Sequence, residues 1–122
     1  MDVGQSTANG LYQQAVAGTF QMEEGAAQRC AEVYQRFAES VDKMMRPAED
    51  LSRVEGFGGF TSAIRLQEGF QGKAVKLIEA LSGLQEAALR MAAAYLHAGG
   101  RIEEAEGMNK LAIKAAEAGL PK

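Results

Sequence analysis

The residues that could do chemistry are few and far apart in the chain. His97 is the only histidine and Cys30 the only cysteine, and position 94, where a helix-borne metal pair would need a glutamate, is Ala94. A Cys–His nucleophile pair would also need an orienting group, and none stands at a recognisable spacing. We therefore predict no catalytic residue, no metal site and no cofactor, with His97 in solvent and Cys30 as a small apolar filler.

Two further patterns resemble functional motifs but are better explained structurally. The acidic run at Glu103, Glu104 and Glu106 is typical of a solvated helix face. The glycines between Gly56 and Gly59 have no strand before them and no lysine after them, so they do not match a phosphate-binding loop. Neither pattern predicts a bound ligand.

The elements that would position any site are helices. Steps of four and three, which average the 3.5-residue period of helices packed along one another, trace two largely apolar seams. A glycine-rich break separates them, as in a helical hairpin. The first seam consists of Val16, Phe20, Glu23, Ala27, Cys30, Tyr34, Phe37, Val41, Met44, Ala48 and Leu51. The second consists of Phe70, Ala74, Leu77, Leu81, Leu84, Ala88, Met91, Tyr95, Ala98, Ile102 and Ala105.

These seams predict an all-α fold, an antiparallel two-helix hairpin forming a single domain over residues 1–122. The expected parts are a mobile N-terminus over residues 1–10, a helix over 11–54, a loop over 55–61 and a helix over 62–118. We expect Pro47 to kink the first helix without ending it. We expect the second helix to pass through Gly99 and Gly100, because the seam resumes in phase after them, and Pro121 to stop it.

A second apolar stripe runs beside the seam of the later helix. A two-helix hairpin buries one stripe per helix, so an additional stripe implies another covering surface. We predict that it is a dimer interface through which two hairpins form a four-helix bundle; the alternative is the flank of a broad hairpin contact. The stripe consists of Val75, Ile78, Leu89, Ala92 and Leu96.

The net charge and the apolar runs of the sequence limit the classes of partner that we expect. The formal net charge of -3 predicts no basic surface and no nucleic-acid partner. The chain opens without a basic region followed by an apolar run, and no apolar run approaches the ~20 residues of a membrane span. We expect a cytoplasmic protein without a membrane span, exported, if at all, by a route other than the general one.

One short motif resembles a known family. Residues 70–74, FQGKA, look like the W-x-G-x-A that opens the second helix of WXG-family proteins, the helical-hairpin substrates of type VII (ESX) secretion. Phe70 stands where the family has Trp, and Gly72 matches its Gly. The glycine–phenylalanine loop before the motif and residues 95–106 are similar to the longer actinobacterial members. Tyr95 and Glu106 resemble parts of the family's Tyr-x-x-x-Asp/Glu signal, although Gly99 occupies the acidic position.

This resemblance implies a non-catalytic substrate or co-secreted partner of a type VII system, exported as a folded dimer. Its implied partners are itself or a paralogous hairpin, the secretion machinery, and a larger toxin with a helical N-terminal region. We hypothesise that Phe70 and Gly72 form a recognition notch; the alternative makes Phe70 the first core residue of its helix. A cytosolic adaptor or chaperone that masks a partner's helix is the alternative function, and homodimer and heterodimer both stay open.

Overall fold

The protein folds into four helices in place of the two expected. The structure, a computed structural model, describes residues 1–120, and every regular element in that range is an α-helix. The all-helical prediction is confirmed, but each predicted long helix is broken once. The expected stop at Pro121 lies outside the described residues. The elements are α1 (Gln5–Ala17), α2 (Glu24–Ser52), α3 (Thr61–Ala98) and α4 (Ile102–Ala118).

The first break lies at Gly18. This residue has a φ of +82°, a left-handed conformation that glycine adopts without steric cost. The N–H of Gly18 donates to the carbonyl of Ala15, and the N–H of Thr19 donates to that of Gln14. This is the Schellman pattern of hydrogen bonds, which ends a helix by satisfying its last carbonyls.

The chain restarts as α2 at Glu23, the one charged residue of the first predicted seam. Its carboxylate accepts hydrogen bonds from the N–H groups of Gly25 at 2.9 Å and Ala26 at 2.8 Å. A carboxylate in this position satisfies free donors of the first turn and complements the helix dipole. The prediction of one helix over 11–54 is therefore wrong at residues 18–23.

The N-terminal residues are more ordered than expected. Residues 5–10, predicted as mobile, form the first part of α1. Asp2 accepts hydrogen bonds from the N–H groups of Gly4 and Ser6 just before and within the first turn. Ala8 is fully buried. Packing against the rest of the protein therefore overrides the glycine-rich and polar composition that predicted a mobile start.

The second break lies at Gly100, where the predicted passage of the later helix is wrong. Gly100 has a φ of +84° and donates to the carbonyl of His97, while the N–H of Arg101 donates to that of Leu96 at 2.9 Å. This is a second Schellman motif. It reverses the chain, so α4 runs back along α3.

Glycine is also required at the neighbouring position. A Cβ on Gly99 would lie 2.4 Å from the Cβ of Ala27, at the start of α2. The N–H of Met22 donates to the carbonyl of Ala98 at this same corner. The two glycines therefore have separate tasks, one allowing close contact between helices and the other allowing the reversal.

Other helix-weakening residues do not end their helices. α2 continues through Pro47, as predicted, and α3 continues through Gly69 and Gly72. At 38 residues, α3 is the longest element. It extends about 57 Å at the usual rise of an α-helix.

All other helices pack on α3. Within residues 1–120, the backbones of α1, α2 and α4 each approach that of α3 closely, and no other two helix backbones do so. α1 runs parallel to α3, since Gln5 lies near Glu86 and Tyr12 near His97. α2 and α4 run antiparallel to it. α4 ends against Ser82, and beyond this point α2 and α3 continue as a pair that we call the distal half, residues 44–52 and 61–81.

The contact between α2 and α3 follows a heptad pattern in which half of the residues are alanine. Each predicted seam contains two residues per heptad. The observed contact keeps one of the two and replaces the other with the residue that directly follows it in the chain. Small side chains let two helix backbones approach closely, which places the larger neighbouring residues outside the contact. On α2 the contact consists of Ala27, Ala31, Tyr34, Ala38, Val41, Met45 and Ala48. On α3 it consists of Ala74, Ile78, Leu81, Gln85, Ala88, Ala92 and Tyr95.

Candidate protein-interaction surface

The residues with chemical potential do not form a reactive group. His97 was predicted in solvent, but its ring is partly covered by α1 and meets the ring of Tyr12 edge-on at 5.4 Å. Its Nδ1 atom is buried and has no hydrogen-bond partner among residues 1–120. Cys30 is partly buried and makes no hydrogen bond to His97 in the same range. No three His, Cys, Asp or Glu side chains of the described chain are grouped as metal ligands.

Tyr95 is part of an aromatic stack and does not form a displayed signal with Glu106. Its ring is stacked on Tyr34 at 5.7 Å and meets Phe20 edge-on at 5.7 Å. Burial raises the pKa of Tyr95, and the neighbouring Tyr34 and Cys30 raise it further. Glu106 is exposed on α4 and has no hydrogen bond or ion pair to Tyr95. The structure therefore does not bring these two predicted residues together.

Phe70 and Gly72 do not form a joint notch. Both lie within the unbroken α3, and two residues correspond to about 200° around a helix axis, so they face nearly opposite sides. The ring of Phe70 is 48% exposed and lies 5.9 Å from that of Phe57, in the loop between α2 and α3. Phe70 is therefore neither half of a notch with Gly72 nor a fully buried core residue.

The predicted dimer stripe is mostly covered by the chain itself. Leu89, Ala92 and Leu96 are buried, and they pack in clusters that include alanines of α4. Ile78 lies against the core between α2 and α3, while Val75 stays exposed. The assignment of the three buried residues to a dimer interface is wrong, because α4 folds back over this side of α3 after the turn at residues 99–101.

A different set of apolar residues is exposed. Its members belong to the predicted seams and are 45% to 49% exposed. Phe37, Met44 and Leu77 each stand one residue before a core residue, and Leu51 and Phe70 continue the same two rows. They repeat at intervals of seven residues along each helix. We call this set the apolar face: Phe37, Met44 and Leu51 on α2, and Phe70 and Leu77 on α3.

Both rows of the apolar face lie on the side of the hairpin away from α4. Gln35 of α2 donates to Sδ of Met108 on α4 at 3.2 Å, and Leu89 of α3 packs against alanines of α4. Each follows a core position by one residue, so α4 occupies that flank of both helices. α2 and α3 are antiparallel, so the rows of the apolar face, which precede core positions by one residue, lie together on the flank opposite α4.

The apolar face extends beyond its five members. Val33 and Leu66 flank it and are each 56% exposed. In the distal half there is no third helix to cover this surface. Contiguous exposed apolar side chains of this kind mark interaction sites on soluble proteins. The surface is therefore the best candidate functional site in the described part of the chain.

Comparisons with known proteins identify no family for this chain. Protein-family models, curated proteins and solved structures give no match to the chain. Within residues 1–120, no helix combines the length and the apolarity needed to cross a membrane.

Proposed function

We propose that this chain is a non-catalytic interaction protein that binds helices of a partner on its apolar face. The observation that carries the proposal is the pair of exposed apolar rows on α2 and α3, each with a seven-residue repeat. That repeat is the one with which helices pack along one another. A partner hairpin would cover the distal half and complete a four-helix bundle there.

The apolar face supplies only part of the affinity such a complex needs. Each member still exposes about half of its side chain, so covering it contributes roughly 1 kcal/mol, and the five together about 5 kcal/mol. Association of two proteins costs an estimated 4–15 kcal/mol before any net affinity appears. Polar and charged contacts around the face must therefore contribute to binding.

A crosslinking experiment tests the binding surface. A photoreactive phenylalanine analogue placed at Leu77 should form covalent adducts with another polypeptide in the native host. The same analogue at Leu111, which is 45% exposed on α4 and lies off the apolar face, is the matched control. Adducts at both positions alike, or at neither, would refute the apolar face as the binding surface.

The type VII setting is the more specific form of the proposal. In it, the chain is a WXG-like substrate or co-secreted partner, cytoplasmic before export, that acts through helix pairing with itself, a paralogous hairpin or a larger toxin. What supports this setting is the similarity of residues 70–74 to the family motif. The partly exposed Phe70 is available for recognition by the secretion machinery.

A cytosolic adaptor or chaperone is the second candidate function. It is favoured by the packing of Tyr95 between Phe20 and Tyr34, which leaves no displayed tyrosine signal, and by Gly99 at the acidic position of that signal. Expression in a strain with an intact type VII system separates the two settings. Export predicts the chain in the culture supernatant and its loss on Phe70→Ala, whereas retention of the wild type supports the adaptor.

A further inference from the structure

Four successive residues of α3 face its four sides, because each residue turns about 100° around a helix. Leu81 packs against α2, and Ser82 lies against the end of α4. Gly83 lies under the side chain of Gln5, at the start of α1. Within residues 1–120 no fourth helix packs on α3, so Leu84 faces a side that no helix covers.

The uncovered side of α3 is apolar along its length. Leu84 and Met91 are partly exposed there and belong to none of the three buried clusters. They stand seven and fourteen residues after Leu77, so they continue the α3 row of the apolar face. That row therefore runs beyond the distal half, from Phe70 to Met91.

Beyond the distal half, α1 and α2 form two walls beside this row. On the α2 wall, Val33 and Phe37 are 56% and 45% exposed. On α1, Tyr12 lies toward α4, where it packs against the cluster that includes Ala105. Leu11 precedes Tyr12 by one residue and lies on the side of α1 away from α4, where it is partly exposed. We call this space the channel: Leu11, Val33, Phe37, Leu84 and Met91.

The channel is closed at one end. Phe20, in the segment that joins α1 to α2, meets the ring of Tyr95 edge-on at 5.7 Å. Tyr95 lies about one helical turn beyond Met91, so a helix that enters from the distal half stops there. From Phe70 to Met91, α3 rises about 32 Å, which corresponds to about three heptads.

We infer that one helix of the partner lies along α3 through the channel, as a fourth helical neighbour about three heptads long. This inference rests on the proposed function and specifies its partner. α4 supports a helix as the occupant, because it fills the other space between α1 and α2 on α3 and packs there through Ala105 and Ala112. The channel has the same three helices as its floor and walls, so a single helix with an apolar stripe fits it.

A second copy of this chain has no helix that fits the channel. Two copies placed face to face would set one channel against the other and leave both empty. The distal half of a copy is two helices wide, whereas the channel takes one. α4 of a copy turns charged side chains outward, at Glu103, Lys110 and Glu117, on the side opposite its buried alanines. The helix in the channel therefore belongs to a different protein.

Photocrosslinking from three positions tests the inference. A photoreactive phenylalanine analogue replaces Leu77, Leu84 or Met91, one at a time, in the full chain expressed in the native host. We expect all three chains to form adducts with the same second protein. Mass spectrometry of the adducts should place the three crosslinked sites in one segment of that protein, about seven residues apart and in order. The analogue at Leu111 on α4 is the matched control and should give no adduct with that segment.

Circular dichroism checks that each labelled chain keeps its helical fold. If the analogue unfolds the chain at position 84 or 91, Leu84→Cys or Met91→Cys with a photoreactive thiol label takes its place, in a Cys30→Ser background. The same mapping of adduct sites then decides the outcome.

A double substitution measures the contribution of the channel to binding. Leu84→Gln with Met91→Gln should lower the adduct yield from position 77 about tenfold, because two apolar contacts of the bound helix are lost. The matched control is Ile102→Gln with Ile113→Gln, at positions of α4 that are 42% and 50% exposed and lie outside the channel. That control should leave the yield unchanged.

Each other outcome overturns the inference in a distinguishable way. Adducts from position 77 alone would mean that the partner ends in the distal half, which refutes the channel and keeps the proposed function. Crosslinked sites within this chain would make the occupant a second copy, and adducts with phospholipid would make it a membrane. Sites scattered over unrelated segments would exclude a single helix. If position 77 gives no adduct, the proposed function fails and the inference fails with it.

Discussion

Leu77 and Leu96 lie on the same helix but differ sharply in burial, at 46% and 3% exposed. We expect Leu96→Glu to cost about 3–5 kcal/mol of unfolding free energy, because it removes packed atoms and places a charge in the interior. Leu77→Glu should change it by less than about 1 kcal/mol, as at other surface positions. Urea unfolding of both variants measures the difference, and similar losses would mean that the assigned core register is wrong.

Single residues also explain where the sequence-based prediction of the surface went wrong. The heptad repeat at Tyr34, Val41, Leu81 and Ala88 is readable from the sequence and lies in the core as predicted. The alternate row is ambiguous, because two adjacent rows are both apolar. The predicted seams contain Phe37 and its equivalents, whereas the core contains the residues that directly follow them, such as Ala38, Met45 and Ile78. Deciding between them requires the distance between the helices, which no single row encodes.

The stability that Glu23 contributes at the start of α2 depends on pH. Hydrogen bonds from the N–H groups of Gly25 and Ala26 hold its pKa below the ordinary value of 4.5. Because the pKa of Glu23 is lower in the folded state than in the unfolded state, its contribution to stability is complete at pH values above the unfolded-state pKa. The contribution is lost as the pH falls through the folded-state pKa.

We therefore expect Glu23→Gln to lower stability at neutral pH and to weaken the loss of stability on acidification. Urea midpoints between about pH 3 and pH 7 measure both effects. Glu39→Gln, at an exposed position inside α2 that caps no helix, is the matched control and should leave the profile unchanged. A wild-type profile for Glu23→Gln would show that the cap does not form.

At the scale of the elements, the turn between α3 and α4 depends on Gly100. We expect Gly100→Ala to lower the free energy of unfolding by about 1 kcal/mol or more, because its φ of +84° disfavours a Cβ. Gly107 lies within α4 with open space around it, so Gly107→Ala should raise the free energy by about 0.5–1 kcal/mol. Thermal unfolding compares the two variants, and shifts of the same sign would contradict the reversal at Gly100.

Element boundaries were partly readable from the sequence. Glycines at Gly18 and Gly100 are typical of Schellman ends, and Glu23 is the charged interruption expected of a new helix start. The apolar phase that continues at Ala105 argued for one helix through Gly100, yet Ala105 is buried because α4 folds back onto α3. A periodic pattern therefore cannot distinguish a continuous helix from a tight reversal that happens to preserve phase.

At the scale of the whole molecule, the two halves should differ in local stability. Three helices cover α3 over residues 82–98, whereas only α2 covers it in the distal half. We expect backbone amides of residues 61–81 to exchange with deuterium faster than those of residues 82–98, because thinly packed segments open more easily. Mass spectrometry resolves the two segments, and equal protection would contradict the difference in packing.

The place of α1 also bears on the order of folding. α4 reaches α3 through a three-residue turn, whereas Gln5 of α1 approaches Glu86 across a sequence separation of 81 residues. Closing a long loop is slow compared with forming contacts between neighbours in the chain. We therefore expect α1 to dock last, after its binding surface on α3 has been made. A nascent chain that lacks α3 would leave the buried side of α1, with Ala8 and Ala15, open to solvent throughout synthesis.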